Sequence, residues 1–365
     1  MMNKDKLKGF FSGLIFAVVL GISALGATVL AAPIENKISV VYDDLKIYVD
    51  GVLTQPKDAN GETIEPFISN GVTYVPVAAL SKILGKDVSW DGNTKSIYIG
   101  KKPEIKAQEV TVSNVEELLA ALGSNKHIKL KPGIYNLSDL EQRYSGSKSI
   151  YWEEEFDGNE LILDEICNLT LEGLGDKPVE IVVEPRYADV LTFINCNKIS
   201  LKNIKAGHTI EKGECSGGVL NFNSSKDIDI SNSIFYGCGT YGIIAQNTEK
   251  LKFHNSIIEE CTNGAMTING CNDFTFTDSI FRKCENFNLI GIHSSSNIVY
   301  DKCAISDNKV NNLLAVSLSG GIKFTNCKIK DDKIFNFDKN IISEVDFTGT
   351  TFNGNSFDDS LNFGK

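Results

Sequence analysis

Apolar and polar positions alternate in short runs through the second half of the chain, as in Ile228-Asp229-Ile230, Leu251-Lys252-Phe253 and Phe274-Thr275-Phe276. A second run follows each of these, opening Asn232-Ser233-Ile234, Asn255-Ser256-Ile257 and Asp278-Ser279-Ile280. A period of two is the mark of a strand, and no helical period intervenes. The whole pattern returns every 23 residues, an interval kept by Cys215, Cys238, Cys261 and Cys284. A unit this short cannot bury its own apolar face, so it must stack on copies of itself, and strands without helices between them make a parallel β-solenoid. Leu220, Ile243, Met266 and Leu289 are predicted to point inward, with Ile228, Leu251, Phe274, Ile298 and Ile322.

Two vertical ladders are expected inside the stack. Asn203, Asn232, Asn255, Asp278 and Asn326 fall at one turn position, where stacked amides would bond the backbones above and below. The cysteines form the other. Nine cysteines is an odd number, and all lie between Cys167 and Cys327. Rungs roughly 4.8 Å apart would allow vertical disulfides, while the plainer reading is a small buried side chain filling one niche in each coil. Ahead of the stack, Ser113 and Glu116 form a capping box for a helix from Val115 to Leu122, stopped by Gly123 and suited to cover the first coil.

With its coil length, alternation and asparagine ladder, residues 105–365 resemble the right-handed parallel β-helix proteins related to pectate lyases. The resemblance implies a mainly β, single-stranded right-handed helix. It leaves activity open, because such folds serve as lyases, hydrolases, adhesins and rods.

Residues 35–100 read as a separate α+β module, with an Asp50-Gly51 turn, an Asn70-Gly71 turn before Thr73-Tyr74-Val75-Pro76, a helix from Val77 to Leu84 ended by Gly85, then Val88-Ser89-Trp90-Asp91 and Ser96 to Ile99. This series resembles the stalk domain named after the N-terminal domain of copper amine oxidases, which implies a surface-exposed spacer. It does not imply copper, since the segment holds no His, Cys or Met. Ala78 stands near the place of that family's usual arginine. Residues 101–109 read as a linker, and the β-helix with its capping helix as 110–365.

At the start, Lys4, Lys6 and Lys8 precede an uncharged apolar run to Pro33 that closes Val29-Leu30-Ala31-Ala32. Residues 1–31 are expected to be a cleaved signal peptide, and the protein secreted or held at the cell surface. Membrane attachment would require the segment to stay uncleaved. The net charge of −11 argues against nucleic acid as a partner.

Candidate chemistry gathers in two places. Leu201 and Ile230 are 29 residues apart where later coils need 23, so about six residues are inserted in 206–218, as a loop on one face. It brings His208, Glu211 and Glu214 near Tyr236, a set able to move protons on a glycan, with a solvated polar loop as the plainer reading. The long segment from Tyr135 to Glu160 offers Arg143, Tyr144, Tyr151, Trp152 and Glu154, which with Tyr241 could contact sugar rings and hydroxyls. No cofactor is expected and no metal ligands are assigned. Calcium would need converging carboxylates, and Lys250 and Lys252 interrupt Asp227, Asp229 and Asp273. The expected function is binding of an extracellular glycan or cell-wall component, or surface scaffolding; the alternative is a polysaccharide lyase or glycoside hydrolase.

Overall fold

The computed structural model describes residues 37–57, 61–91, 96–102, 106–140, 147–211, 213, 216–237, 240–336 and 344–357. The signal segment, Glu214, Cys215, Cys238, Arg143 and Tyr144 lie outside the described residues. The chain divides into two units, 1–103 and 104–365.

The first unit contains three antiparallel hairpins and a helix, α1 (Val77–Ile83). Ile47–Val49 pairs with Val52–Thr54, Phe67–Ser69 with Val72–Tyr74, and Val88–Asp91 with Ser96–Ile99. Asp50 and Gly51 take φ of 49° and 80°, and Asn70 and Gly71 take 46° and 77°, the doubly positive pair that two-residue hairpins require. Ahead of these hairpins Val41 makes a single antiparallel bridge to Ile68.

Among the described residues of the second unit, mostly parallel strands stack into three sheets, two of ten strands and one of nine. The first face runs through Leu191–Ile194, Leu220–Asn223, Ile243–Gln246 and Met266–Asn269, then through the longer Glu285–His293 and Lys309–Ser317. The second includes Lys226–Ser231, Glu249–His254 and Asn272–Thr277; the third includes Ile204–His208, Ile234–Tyr236, Ile257–Glu259 and Ile280–Arg282. Register follows the repeat: Ile228 pairs with Leu251 and Leu251 with Phe274, each 23 residues on. Gly207 pairs with Tyr236, 29 residues on, which locates the insertion between the third face and the next first-face strand.

Every expected inward residue is buried. Met266 pairs with Ile290, not with Leu289, because the coil lengthens to 24 residues there; both side chains are buried. Aromatic rings continue the register through the core. Phe276, Tyr300 and Phe324 stack at centroid distances of 4.5 and 4.3 Å.

The corners correct the expected asparagine ladder. Asn203, Asn232, Asn255, Asp278 and Asn326 share positive φ of 47–54°, the left-handed bend that Asn and Asp tolerate best. That bend leaves Asn232, Asn255, Asp278 and Asn326 exposed, and turns the following residue inward. Ser233, Ser256, Ser279, Cys303 and Cys327 therefore make the buried column. Ser233 N–H donates to Ser256 Oγ at 3.1 Å, and Ser256 N–H to Ser279 Oγ at 3.3 Å. Two of the expected set do bond the neighbouring coil through their amides: Asn203 donates to Gly173 and Gly175 carbonyls at 2.8 and 3.1 Å, and Asn326 Nδ2 to the Asp301 carboxylate at 3.1 Å.

A true amide column sits at the next corner. Cys284 N–H donates to Asn308 Oδ1, Asn308 N–H to Asp332 Oδ1, and Asp332 N–H to Asn355 Oδ1, at 2.9, 2.8 and 3.0 Å. Cys261 and Cys284 are buried on adjacent rungs below it, where Glu285 N–H donates to Cys261 O at 3.0 Å.

The lid is present, with its cap shifted by one. Helix α2 (Val115–Ala121) has Asn114 as N-cap, accepting from Glu117 N–H at 2.9 Å, and Glu117 in turn accepts from Ser113 N–H and Oγ. Leu118 and Leu119 are buried in the core. Residues expected in the linker, Gln108 and Glu109, open the first strand, Gln108–Val112, which pairs with Lys126–Leu130.

Candidate functional site

Along the first face the outward residues form two rows. Asn221, Ile244, Thr267, Gly291 and Ala315 pair in register, and beside them run Asn223, Gln246, Asn269, His293 and Ser317. Neither row contains Lys, Arg, Asp or Glu, in a chain where those residues make up 23%. The strand period puts these amides and hydroxyls outside and Leu220, Phe222, Ile243 and Ile268 inside.

The other faces are charged. On the third, Lys205 Nζ lies 2.7 Å from Glu180, and Arg282 is 2.7 Å from Glu259. On the second, a shallow cavity of about 450 Å³ is lined by Asp227, Asp229, Lys250, Lys252, Asp273 and Thr275. The three aspartates share this face, but the register sets Lys252 between Asp229 and Thr275, and Arg282 stands on a different face. Among the described residues no group of three or more His, Cys, Asp or Glu is placed to hold a metal ion.

No hydrogen bond joins His208, Glu211 and Tyr236 to one another. His208 is buried with Nε2 2.9 Å from Ala188 O and Nδ1 without a partner; burial lowers its pKa. Glu211 is exposed. Tyr236 turns away along the third face: its ring lies over Gly207, its hydroxyl donates to Glu180 Oε1 at 2.7 Å, and Lys205 Nζ sits 4.4 Å from the ring centroid. Burial and the Glu180 carboxylate hold the phenol well above its usual range.

The segment from Tyr135 to Glu160 is more ordered than the expected long loop. Ile150–Glu155 folds antiparallel on Gly158–Asp164 at the edge of the first sheet, with a turn at Phe156 and Asp157. Tyr151 and Trp152 are half-buried, Trp152 against the core, while Glu154 is exposed. Tyr241 is half-buried three rungs further along the same sheet, and burial raises its pKa.

Two carboxylates that the sequence reading passed over are the most perturbed acids of this face. Glu160 accepts from Asp189 N–H at 2.8 Å and from Thr192 Oγ1 at 2.5 Å. Asp189 accepts from Gly218 N–H and, at 2.8 Å, from Asn221 Nδ2. Both are 7% exposed. Burial, then the charge of Asp189, pushes Glu160 up to about 7, and burial raises Asp189. The Asp157-Gly158 dipeptide between two apolar-rich runs was the available signal for the hairpin that buries Glu160.

These features define a right-handed parallel β-helix with a small N-terminal module. Residues 217–364 match the family model described as right handed beta helix region. Residues 22–99 and 57–121 match that of the copper amine oxidase N-terminal domain. No curated protein matches the chain. Among solved structures it is similar to a pectate lyase from Paenibacillus sp. 0602, at 8% identity and TM-score 0.47, covering 68% of this chain and 78% of that one. It is also similar to a lacto-N-biosidase from Eubacterium ramulus, at 9% identity and TM-score 0.30, with 70% and 60% covered. A third is the A-module of a mannuronan C-5 epimerase from Azotobacter vinelandii, at 12% and TM-score 0.30, with 67% and 89% covered.

Proposed function

We propose that the β-helix binds an uncharged extracellular glycan along its first face, with the N-terminal module as spacer and the chain exported or held at the cell surface. The observation that carries this reading is the pair of neutral outward rows between Asn221 and Ser317. Amides and hydroxyls both donate and accept, as sugar hydroxyls do, and burying them against a ligand costs less than burying charge. Repetition at roughly 4.8 Å offers a polymer the same donors and acceptors rung after rung. A polyuronate would find no Lys or Arg in either row and an acidic chain around it. Retention on a panel of immobilised neutral and uronate-bearing polysaccharides tests the reading. Selective retention of neutral ones is expected; retention of polyuronates alone would contradict it.

A second reading, glycan cleavage, is favoured by Glu160 and Asp189. A carboxyl group that keeps its proton near neutrality beside a second carboxyl group is the pairing that glycoside cleavage uses. Both side chains are engaged in bonds that hold adjacent rungs together, which favours binding as the leading role. Reducing ends released from a retained polysaccharide, and lost in Glu160→Gln, would establish cleavage. Retention without release would leave binding alone.

A further inference from the structure

The first face widens toward its C-terminal rungs. Glu285–His293 and Lys309–Ser317 are nine-residue strands where the preceding first-face strands have four, so the sheet is widest here. Across this widened part lies a cavity of about 420 Å³. Its floor is the row Thr267, Gly291 and Ala315, the smallest stretch of a row that holds Ile244 one rung earlier.

The fold does not require the glycine. Gly291 has no positive φ, and a Cβ built on it would meet nothing closer than Thr267 Oγ1 at 3.7 Å, an ordinary contact. A central strand position favours β-branched residues, and Gly weakens it. What the missing side chain does provide is depth.

The walls are polar and neutral. Asn312 Nδ2 donates to Asn288 Oδ1 at 2.7 Å, which fixes both amides and leaves Asn288 Nδ2 and Asn312 Oδ1 as a donor and an acceptor side by side. Opposite, His293 Nδ1 lies 2.5 Å from Ser317 Oγ, which orients the imidazole.

We propose that this cavity is the principal subsite for one uncharged sugar ring, seated on Gly291 and Ala315, with vicinal hydroxyls held by the Asn288 and Asn312 amides. The subsite rests on the reading of the first face as a glycan surface and narrows it to one place and one ligand class.

The test titrates cellohexaose, mannohexaose and hexagalacturonate against the full chain and two variants. Gly291→Ile fills the floor as Ile244 already does two row positions away, and Asn288→Ala/Asn312→Ala removes the amides without filling it. Unchanged melting curves for Gly291→Ile are expected, with affinity for the better neutral hexasaccharide reduced roughly tenfold or more in both variants. Equal affinity of wild type and both variants would overturn the subsite while leaving glycan binding on the face intact. If wild type binds only hexagalacturonate, or no polysaccharide of the wider panel, the reading of the face fails and the subsite with it. Should Asn288→Ala/Asn312→Ala unfold, Gly291→Ile decides alone.

Discussion

The first and third faces of the β-helix are made by the same coils, yet their surfaces differ in kind. The third is tied to itself: Lys205 to Glu180, Tyr236 to Glu180, Arg282 to Glu259. The first presents amides and hydroxyls whose bonding capacity is only partly used within the chain, as at Asn288 and Asn312. Their glycines make the same point. Gly207 is required by packing, for a Cβ there would come within 2.5 Å of Tyr236 O and 2.6 Å of its ring, whereas a Cβ on Gly291 would make only ordinary contact, 3.7 Å from Thr267 Oγ1. A solenoid needs its inward residues for folding, so a face whose outward residues are only partly engaged within the fold is the one available for recognition.

The largest way to sharpen this contrast is to add one methyl group to each face. Gly207→Ala is expected to cost about 3 kcal/mol, the upper end of overpacking effects, and Gly291→Ala less than about 0.5 kcal/mol. Parallel urea melts measure both.

Nearly as large an effect is expected inside the third corner, where Asp332 interrupts an amide column. Asn308 Nδ2 donates to Phe281 O at 3.1 Å and Asn355 Nδ2 to Ile329 O at 2.9 Å, while the matching Asp332 Oδ2 has no partner. The register makes Ile305 O the equivalent acceptor, which only a protonated carboxyl group can satisfy. Burial pushes Asp332 up to about 6. Because the folded value lies above the unfolded one, its stabilisation is complete below about pH 4 and is lost as the pH rises through about 6, a loss of roughly 2–3 kcal/mol. Asp332→Asn should be more stable than wild type at pH 7 by about that amount and nearly equal at pH 4, which thermal melts at the two pH values would reveal.

The smallest effect is expected from the ion pairs that distinguish the third face. Arg282→Ala should cost below about 1 kcal/mol, because the pair is partly exposed and screened, and it should leave glycan retention unchanged. Retention lost with Arg282 would move the recognition surface to the wrong face.

Much of this architecture was legible because a solenoid writes its period into the sequence. The 23-residue step, the inward rows and the insertion before Gly218 follow from alternation alone. Corner residues were harder. Asn232 and Asn255 looked like a buried ladder, but positive φ turns them out and turns Ser233 and Ser256 in, a distinction of one residue that alternation does not encode at a bend. The neutral rows were readable in principle, since Asn221, Asn223, Gln246, Thr267 and Asn269 are the residues between the inward ones. The Glu160–Asp189 pair was not, because Glu160 is buried by contacts to residues about 30 positions away. His208 and Tyr236, neighbours across one register step, were expected to converge and instead serve different corners of their rungs.

A crystal structure of the full chain with the best-retained neutral hexasaccharide bears most directly on the role of the first face. Ordered sugar along the Asn223 to Ser317 row, with one ring over Gly291 and Ala315, is the expected result. Sugar bound instead against the charged second or third face would contradict it.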